Sequence, residues 1–326
     1  MLIATHDGTF HADETTACAI ITYLYENSNI IRSRDPDELE KADIIIDVSG
    51  INDDRHYDHH CKDFKDSRKN GIRYATAGLM WKKYGIEFLR KVVASELSFH
   101  PNAETLEKAF ERVDNEVMVM IDLNDNGDLT KYVDSIAPQE NEGEKRVAAT
   151  LNDFYQNDPS IPYIVAMANT PSASPQIQDK NFLNTVKMLR TILVNCAINA
   201  LHTETGIAKV LEAYKGGPML VIHERLPWTS AIFANMDTFK DCLIAVYPDR
   251  NQRWRIQSLP VSKAQRFVNR LSAPEQWRGL NDKDLDAATG LHNMNFIHRS
   301  GFTGGASDYD SCMELARLWL EKGVKP

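Results

Sequence analysis

Apolar and polar positions fall into short blocks over the first hundred residues. Leu2–Thr5 is an apolar run ending at His6, which predicts a buried strand delivering polar side chains at its carboxyl end. Ala12–Tyr25 carries apolar residues at helical spacing, with Asp13 and Glu14 in the first turn, where the helix dipole favours acids. Ile30–Ser33 reads as a second strand and Asp37–Lys41 as a short charged helix. Ala42–Val48 (ADIIIDV) is the clearest strand, because three successive isoleucines suit a parallel strand covered on both faces. Asp47 stands at its end. Beyond a polar stretch reaching Asn70, Tyr74–Tyr84 predicts a helix that Gly85 would end. Strand, helix, strand, strand, helix is the order of an open α/β sheet. Such sheets bind ligands beyond the carboxyl ends of their strands, the edge that His6 and Asp47 share.

Ala103–Leu123 has a helical pattern and leads into Asp122-Leu123-Asn124-Asp125-Asn126-Gly127. The stretch from 131 to about 175 is polar and mixed, with Pro138, Pro159, Pro162, Pro171 and Pro175, and reads as an insertion or interdomain segment. Asn181–Tyr214 is a long helical pattern that Lys215-Gly216-Gly217-Pro218 terminates. Strand-like runs follow at Met219–His223, Cys242–Tyr247 and Trp254–Ser258, with Asn295–His298 as a further candidate. Tyr309–Glu321 closes the chain as an amphipathic helix. The expected organisation is an α/β domain with a mainly parallel sheet over residues 1–135, a connecting segment over 136–180, and an α+β domain over 181–326.

Length agrees with two domains, since 326 residues exceed the ~250–300 at which single cores stop growing. The formal net charge of -9 argues against a chain-wide basic surface gripping a nucleic acid backbone. It leaves room for a local basic groove, and an empty carboxylate-rich metal centre is itself negative. Cys18, Cys61, Cys196, Cys242 and Cys312 are scattered and show no CxxC spacing, so neither a disulfide framework nor a cysteine zinc site is expected. The first residues lack the pattern of a secretory signal, and no apolar run approaches the ~20 residues of a membrane span. A soluble, intracellular protein, cytoplasmic by default and without a membrane partner, is the expectation.

Three sequence elements carry candidate chemistry. The first, His6-Asp7-Gly8-Thr9-Phe10-His11-Ala12-Asp13-Glu14, lies between a strand end and a helix start, where a loop turns several side chains toward one point. Imidazole and carboxylate together suit Mn, Fe, Zn or Mg-type centres, although a solvated loop would read the same way in isolation. The second is Asp47, which alone is an ordinary turn residue. The third is Arg55-His56-Tyr57-Asp58-His59-His60, where Asp or a backbone carbonyl can orient a ring nitrogen of a metal-binding histidine. All three fall in one α/β unit, in an order a sheet edge could gather. Two divalent ions ~3.5–4 Å apart and bridged by one carboxylate are a standard device for phosphoester hydrolysis.

Together these motifs resemble the DHH phosphoesterases, and most closely their Myg-type branch, described as RNA exonucleases and also called metal-dependent protein hydrolases. THDGTFHADE resembles that branch's first motif, YDHH its third, Asp125-Asn126-Gly127 its fourth, and HRSGFTGG its C-terminal motif. The resemblance runs from Thr5 to Ala316. It implies a DHH-like N-terminal domain and a DHH-associated-like C-terminal domain. It also implies that His6, His11 and Asp47 hold one ion, and that Asp13, Asp47, His59 and Asp125 hold another. Asp47 would bridge, His60 would face the scissile phosphate, and Asp58 would orient the histidine pair. The wider superfamily has Asp where His11 stands, and a neutral imidazole there lowers the site's negative charge. Asp122 competes with Asp125 for the fourth position. Gly304 and Gly305, with His298 or Arg299 nearby, would contact substrate.

The implied activity is a metal-dependent phosphodiesterase, a 3'-5' exonuclease-like hydrolase acting on RNA or short single strands with two divalent ions. Manganese is favoured, with Mg or another transition metal as alternatives, and a homo-oligomer is compatible. The competing expectations are hydrolysis of a small phosphate ester, cyclic dinucleotide or pyrophosphate, and a non-catalytic metal-stabilised binding module. No HExxH motif supports peptide hydrolysis. Trp228 is a candidate base-stacking residue, though core packing explains a Trp more often. His223 reads as a strand histidine, and Arg250, Arg253 and Arg255 form the best local basic cluster.

Overall fold

The computed structural model describes all residues except 137–139, 158–159 and 172, and leaves the side chains at 152 and 154–157 undescribed. The chain divides into two compact units, Met1–Leu201 and His202–Pro326.

In the first unit, β1 (Leu2–Thr5), β2 (Asn29–Arg32), β3 (Ile44–Ile46) and β4 (His56–Tyr57) form an all-parallel sheet in the order β2-β1-β3-β4. Ile44, Ile45 and Ile46 are all buried, as the run of isoleucines requires. Between the strands lie α1 (Ala12–Leu24) and the single turn α2 (Pro36–Leu39). Helix α1 is buried on every side from Ala12 to Ile21, so Asp13, Glu14, Thr15 and Thr16 sit inside the protein with its apolar residues. A buried carboxylate needs a partner, so these acids mark the site before any ligand is considered.

After β4 the unit is helical: α3 (Thr76–Glu96), α4 (Ala103–Val113), α5 (Val119–Asp125), α6 (Leu129–Ile136), α7 (Glu142–Asn157), α8 (Ile161–Ala168) and α9 (Pro175–Ala213). The division between the units falls within α9. A π-helical turn at Asp114–Met118 joins α4 to α5. The stretch expected to be an insertion supplies α7, α8 and the start of α9; Pro138 and Pro159, counted in it, lie outside the described residues. Gly85 does not end α3, contrary to the sequence expectation. It is buried mid-helix, where a Cβ would come within 2.8 Å of the Trp81 and Phe110 rings. Close packing, not termination, explains this glycine.

The second unit holds β5 (Met219–Val221), α10 (Trp228–Ala234), β6 (Ile244–Pro248), β7 (Trp254–Ser258), α11 (Asp282–Thr289), β8 (Met294–Ile297), β9 (Thr303–Ala306) and α12 (Tyr309–Lys322). Its mixed sheet runs β5-β6-β7-β9-β8, parallel only between β5 and β6. Helices α10 and α11 escaped the sequence pattern because each is too short to show a helical period. No helix among the described residues is long and apolar enough to cross a membrane.

Candidate metal centre

The carboxyl edge of the first sheet gathers the three sequence elements. His6 follows β1, Asp47 follows β3 and Asp58 follows β4, and all three are buried. The loop carrying His6 is clamped by Arg32, whose Nε donates to the His6 carbonyl (3.2 Å) and whose Nη2 donates to the Gly8 carbonyl (2.5 Å). Asp47 holds φ at 55°, in the left-handed region that Asp tolerates better than most residues. That turn points its carboxylate into the cluster.

Asp13 joins α1 to α3. Its two oxygens accept N–H bonds from Thr76 (2.9 Å) and Ala77 (2.6 Å), capping α3 where Ala75 offers no side-chain cap. Burial, with Asp125 and Asp47 nearby, raises its carboxyl well above the ordinary range. Glu14 is fully buried, accepts the His11 N–H at 2.8 Å and lies 3.2 Å from His6 Nε2.

Two histidines test whether these residues fit a cation. His6 Nδ1 lies 2.9 Å from the Asp7 carbonyl, which can only accept, so Nδ1 carries the proton. The neutral ring then aims the Nε2 lone pair at Glu14 (3.2 Å) and Asp47 (3.8 Å). His59 repeats the device. Asn126 Nδ2 donates to the Asp122 and Tyr74 carbonyls at 3.0 and 3.2 Å, which turns Asn126 Oδ1 toward His59 Nδ1 at 3.1 Å. His59 Nε2 therefore faces Asp125 (2.9 Å), Asp47 (3.7 Å) and Asp13 (3.9 Å). It is buried and makes no aligned hydrogen bond, despite its closeness to Asp125. Lone pairs aimed at carboxylates repel unless a positive charge lies between them. Either a proton or a metal ion must supply it, and the donor set of imidazole and carboxylate suits divalent cations.

In the metal-free protein the surrounding carboxylates favour the proton. Burial alone would depress His6, but Glu14 outweighs it and the imidazole is raised above its ordinary value. Burial likewise opposes His59, and Asp125 outweighs it in the same direction. His60 is pushed up to about 9, chiefly by hydrogen bonding to Asp47, with Asp58 adding to it. Asp58 accepts from His60 Nδ1 (2.9 Å), His60 N (2.9 Å) and Gly50 N (2.7 Å), which fixes the His60 ring while most of it stays exposed.

Potential ligand atoms converge in three groups: His6, His11 and Glu14; Asp47, His59 and His60; and Asp13, His59 and Asp125. Of these, His6, His11, Asp47, His60 and Asp125 line an open pocket of about 790 Å³ that Arg34 also lines. Asp125 rather than Asp122 stands beside His59. Asp122 is turned away, with Oδ1 accepting from Gly78 N (3.1 Å) and Oδ2 in ion-pair contact with buried Arg68 at 2.7 Å. Burial raises Asp122 to about 7 against the pull of Arg68. Arg68 in turn grips Asp114 through two bonds of 2.6 and 2.7 Å.

Sequence reading missed Glu14, Asn126 and Arg34. Glu14 follows Asp13 in a first helical turn and passes for a dipole-favoured acid. Asn126 passes for a turn residue in Asp-Asn-Gly.

The second unit holds the remaining candidates. Gly304 and Gly305 lie within β9, not on a loop. A Cβ on Gly304 would come within 2.7 Å of the Phe296 carbonyl, and one on Gly305 within 2.2 Å of the Trp254 carbonyl. Sheet packing therefore accounts for both glycines. His298 and Arg299 follow β8 and are exposed. Trp228 is only 6 % exposed and belongs to the core, so it offers no ring for stacking. His223 joins no group of metal-binding side chains among the described residues.

The model of the MYG1_exonuc family, described as an uncharacterised protein family (UPF0160), matches residues 2–320. The MYG1 protein of Schizosaccharomyces pombe is 30% identical over 338 residues, covering 98% of this chain and 97% of the relative. The MYG1 exonuclease of Mus musculus is 28% identical over 349 residues, covering 99% of this chain and 86% of the relative. Among solved structures, RecJ of Thermus thermophilus in complex with Mn2+ matches at 12% identity and a TM-score of 0.25. That match covers 98% of this chain but only 51% of the RecJ chain, about half its length, and is too slight to bear on fold or activity. With a family model running through nearly all of its length, the chain is a member of the MYG1 family, the Myg-type branch that its motifs resemble.

Proposed function

We propose that this protein is a divalent-metal-dependent phosphodiesterase, an exonuclease acting on RNA or short single strands. The observation that carries the reading is the pair of buried histidines, each fixed through Nδ1, whose Nε2 atoms face carboxylates at one sheet edge. Relatives named MYG1 exonuclease support the substrate class.

In this reading His6, His11 and Asp47, with Glu14 adjoining, hold one ion, and Asp13, Asp47, His59 and Asp125 hold a second. Bound divalent ions, manganese above all, supply Lewis acidity that offsets charge on the phosphoryl group and activates water. Asp47 belongs to both sets because it lies within 3.8 Å of His6 and within 3.7 Å of His59. His60, anchored through Nδ1 by Asp58, lines the pocket and would donate a proton or hydrogen bond to the leaving oxygen. Arg34 borders the same pocket and attracts the phosphate. On unit two, substrate contact falls to exposed His298 and Arg299 rather than to the strand-bound glycines.

End-labelled single-stranded RNA incubated with manganese provides the test. Wild type should release nucleotides from the 3′ end, and Asp47→Asn should release none while keeping its fold. Asn tolerates the same left-handed backbone, so the variant isolates the charge. Release from neither RNA nor DNA, with metal bound, would sink the exonuclease reading and favour a small phosphate ester.

A further inference from the structure

Phe267 is 93 % exposed, the highest value among the exposed large hydrophobics. A single exposed apolar side chain needs no explanation by itself. Its loop supplies one.

Residues 261–270 leave β7 and return to the same point. Pro260 bridges Asn269, Val261 N donates to the Val268 carbonyl (2.9 Å), and Arg270 N donates to the Leu259 carbonyl (2.8 Å). The Arg270 guanidinium pins the base further, donating to the carbonyls of Pro260 (2.9 Å), Cys242 (2.8 Å) and Phe239. At the far end, Val268 N bonds the Gln265 carbonyl and Gln265 N bonds Ser262 Oγ, a tight turn that lifts residues 263–268 into solvent. A base held by so many bonds presents the tip in a defined place.

Charge points to the ligand. Between residues 250 and 274 the chain carries Arg250, Arg253, Arg255, Lys263, Arg266 and Arg270, with no Asp or Glu, although its net charge is -9. Asp249 holds Arg253 and Arg255, while Lys263 and Arg266 have no ion pair among the described residues, Arg266 lying over the Phe233 ring at 5.6 Å to its centroid. One accessible ring on a loop with two cations that no carboxylate neutralises suits a nucleobase with its flanking phosphates. The apolar area is too small for a protein hot spot, which needs a cluster of buried anchors, or for an interfacial helix face.

We propose that the 261–270 loop is an aromatic–basic finger that binds single-stranded nucleic acid, Phe267 stacking on a base while Lys263 and Arg266 contact phosphates. It deepens the nucleic-acid reading above and does not depend on hydrolysis.

The test is fluorescence anisotropy of a fluorescein-labelled oligouridine with the full chain in EDTA, where cleavage is blocked. Phe267→Ala should weaken binding roughly 5- to 150-fold, the worth of one base–aromatic stack, and Phe267→Trp should restore it. Both variants should melt like wild type, since the ring packs on nothing. Lys263→Gln with Arg266→Gln should weaken binding and flatten its logarithmic salt slope by about 1.4, at ~0.7 per phosphate on a single strand. Unchanged binding in Phe267→Ala overturns the proposal, as does a wild type that binds no oligouridine. A Phe267-dependent dimer in sedimentation, or Phe267-dependent binding to phosphatidylserine vesicles in place of RNA, overturns it too. Loss of manganese-dependent hydrolysis with this binding intact defeats only the catalytic reading; the reverse pattern defeats only the finger.

Discussion

His6, His59 and His60 each give up one ring nitrogen to a fixed acceptor, and their protonation sets how the centre responds to pH. All three are raised above 6.5 in the metal-free protein, His60 to about 9. A raised histidine contributes stability that is fully present below its unfolded value and is lost as pH rises through its folded value. The melting temperature in EDTA should therefore fall between about pH 6.5 and 9. Manganese affinity should rise over the same interval, because binding expels those protons. Calorimetry in buffers of differing ionisation heat should record proton release; metal binding without release would contradict this account. Asn126 gives a sharper test, since its carboxamide alone dictates which His59 nitrogen is bare. Asn126→Ala should cost ~10–100-fold in manganese affinity, the usual effect of an outer-shell partner, and should lower the melting temperature in EDTA only modestly, since the Asp122 and Tyr74 carbonyls lose one donor. The motif histidines and Asp47 were legible because short spacings at strand ends constrain where side chains go. Glu14 was not, because an acid in a first helical turn has an ordinary dipole explanation, and Asn126 was not, because its role arises only when α5 brings it to His59 and Tyr74, distant in the chain.

Elements, not residues, decide between Asp122 and Asp125. Both sit on α5, three positions apart, and the sequence favoured Asp125 only by resemblance. The helix delivers Asp125 to His59 and turns Asp122 to Arg68 and to the α3 backbone at Gly78. Close approach of α3 to its neighbours is also why Gly85 misled the sequence reading. A glycine after an apolar run is a good helix stop, yet here it admits the stacked rings of Trp81 and Phe110, 5.6 Å apart. Gly85→Leu should destabilise the protein by at least ~1–3 kcal/mol through overpacking. Urea unfolding followed by tryptophan fluorescence would measure it, and an unchanged midpoint would mean that α3 and α4 separate easily. Strands β1 and β3 were readable from apolar runs. Strand β4 was hidden in a polar motif, because only two of its residues pair with β3.

At the scale of the molecule, an acidic chain concentrates carboxylates and imidazoles at the edge of one parallel sheet and carries, in the other unit, an acid-free basic stretch between residues 250 and 274. Several strands and the long helices of each unit followed from hydrophobic runs, but the short elements did not, and the gathering of Asp13, Glu14, Asp47 and Asp125 depends on tertiary packing that no local pattern encodes. The buried acids need positive charge, and the proposal assigns that charge to two divalent ions sharing Asp47. Manganese titration of the metal-free protein, read by electron paramagnetic resonance with parallel metal analysis, addresses this most directly. Two ions per chain with an exchange-coupled signal, absent in Asp47→Asn, are the expected result. A wild type that binds no manganese, or binds a single uncoupled ion that Asp47→Asn leaves unchanged, would contradict the shared-carboxylate centre.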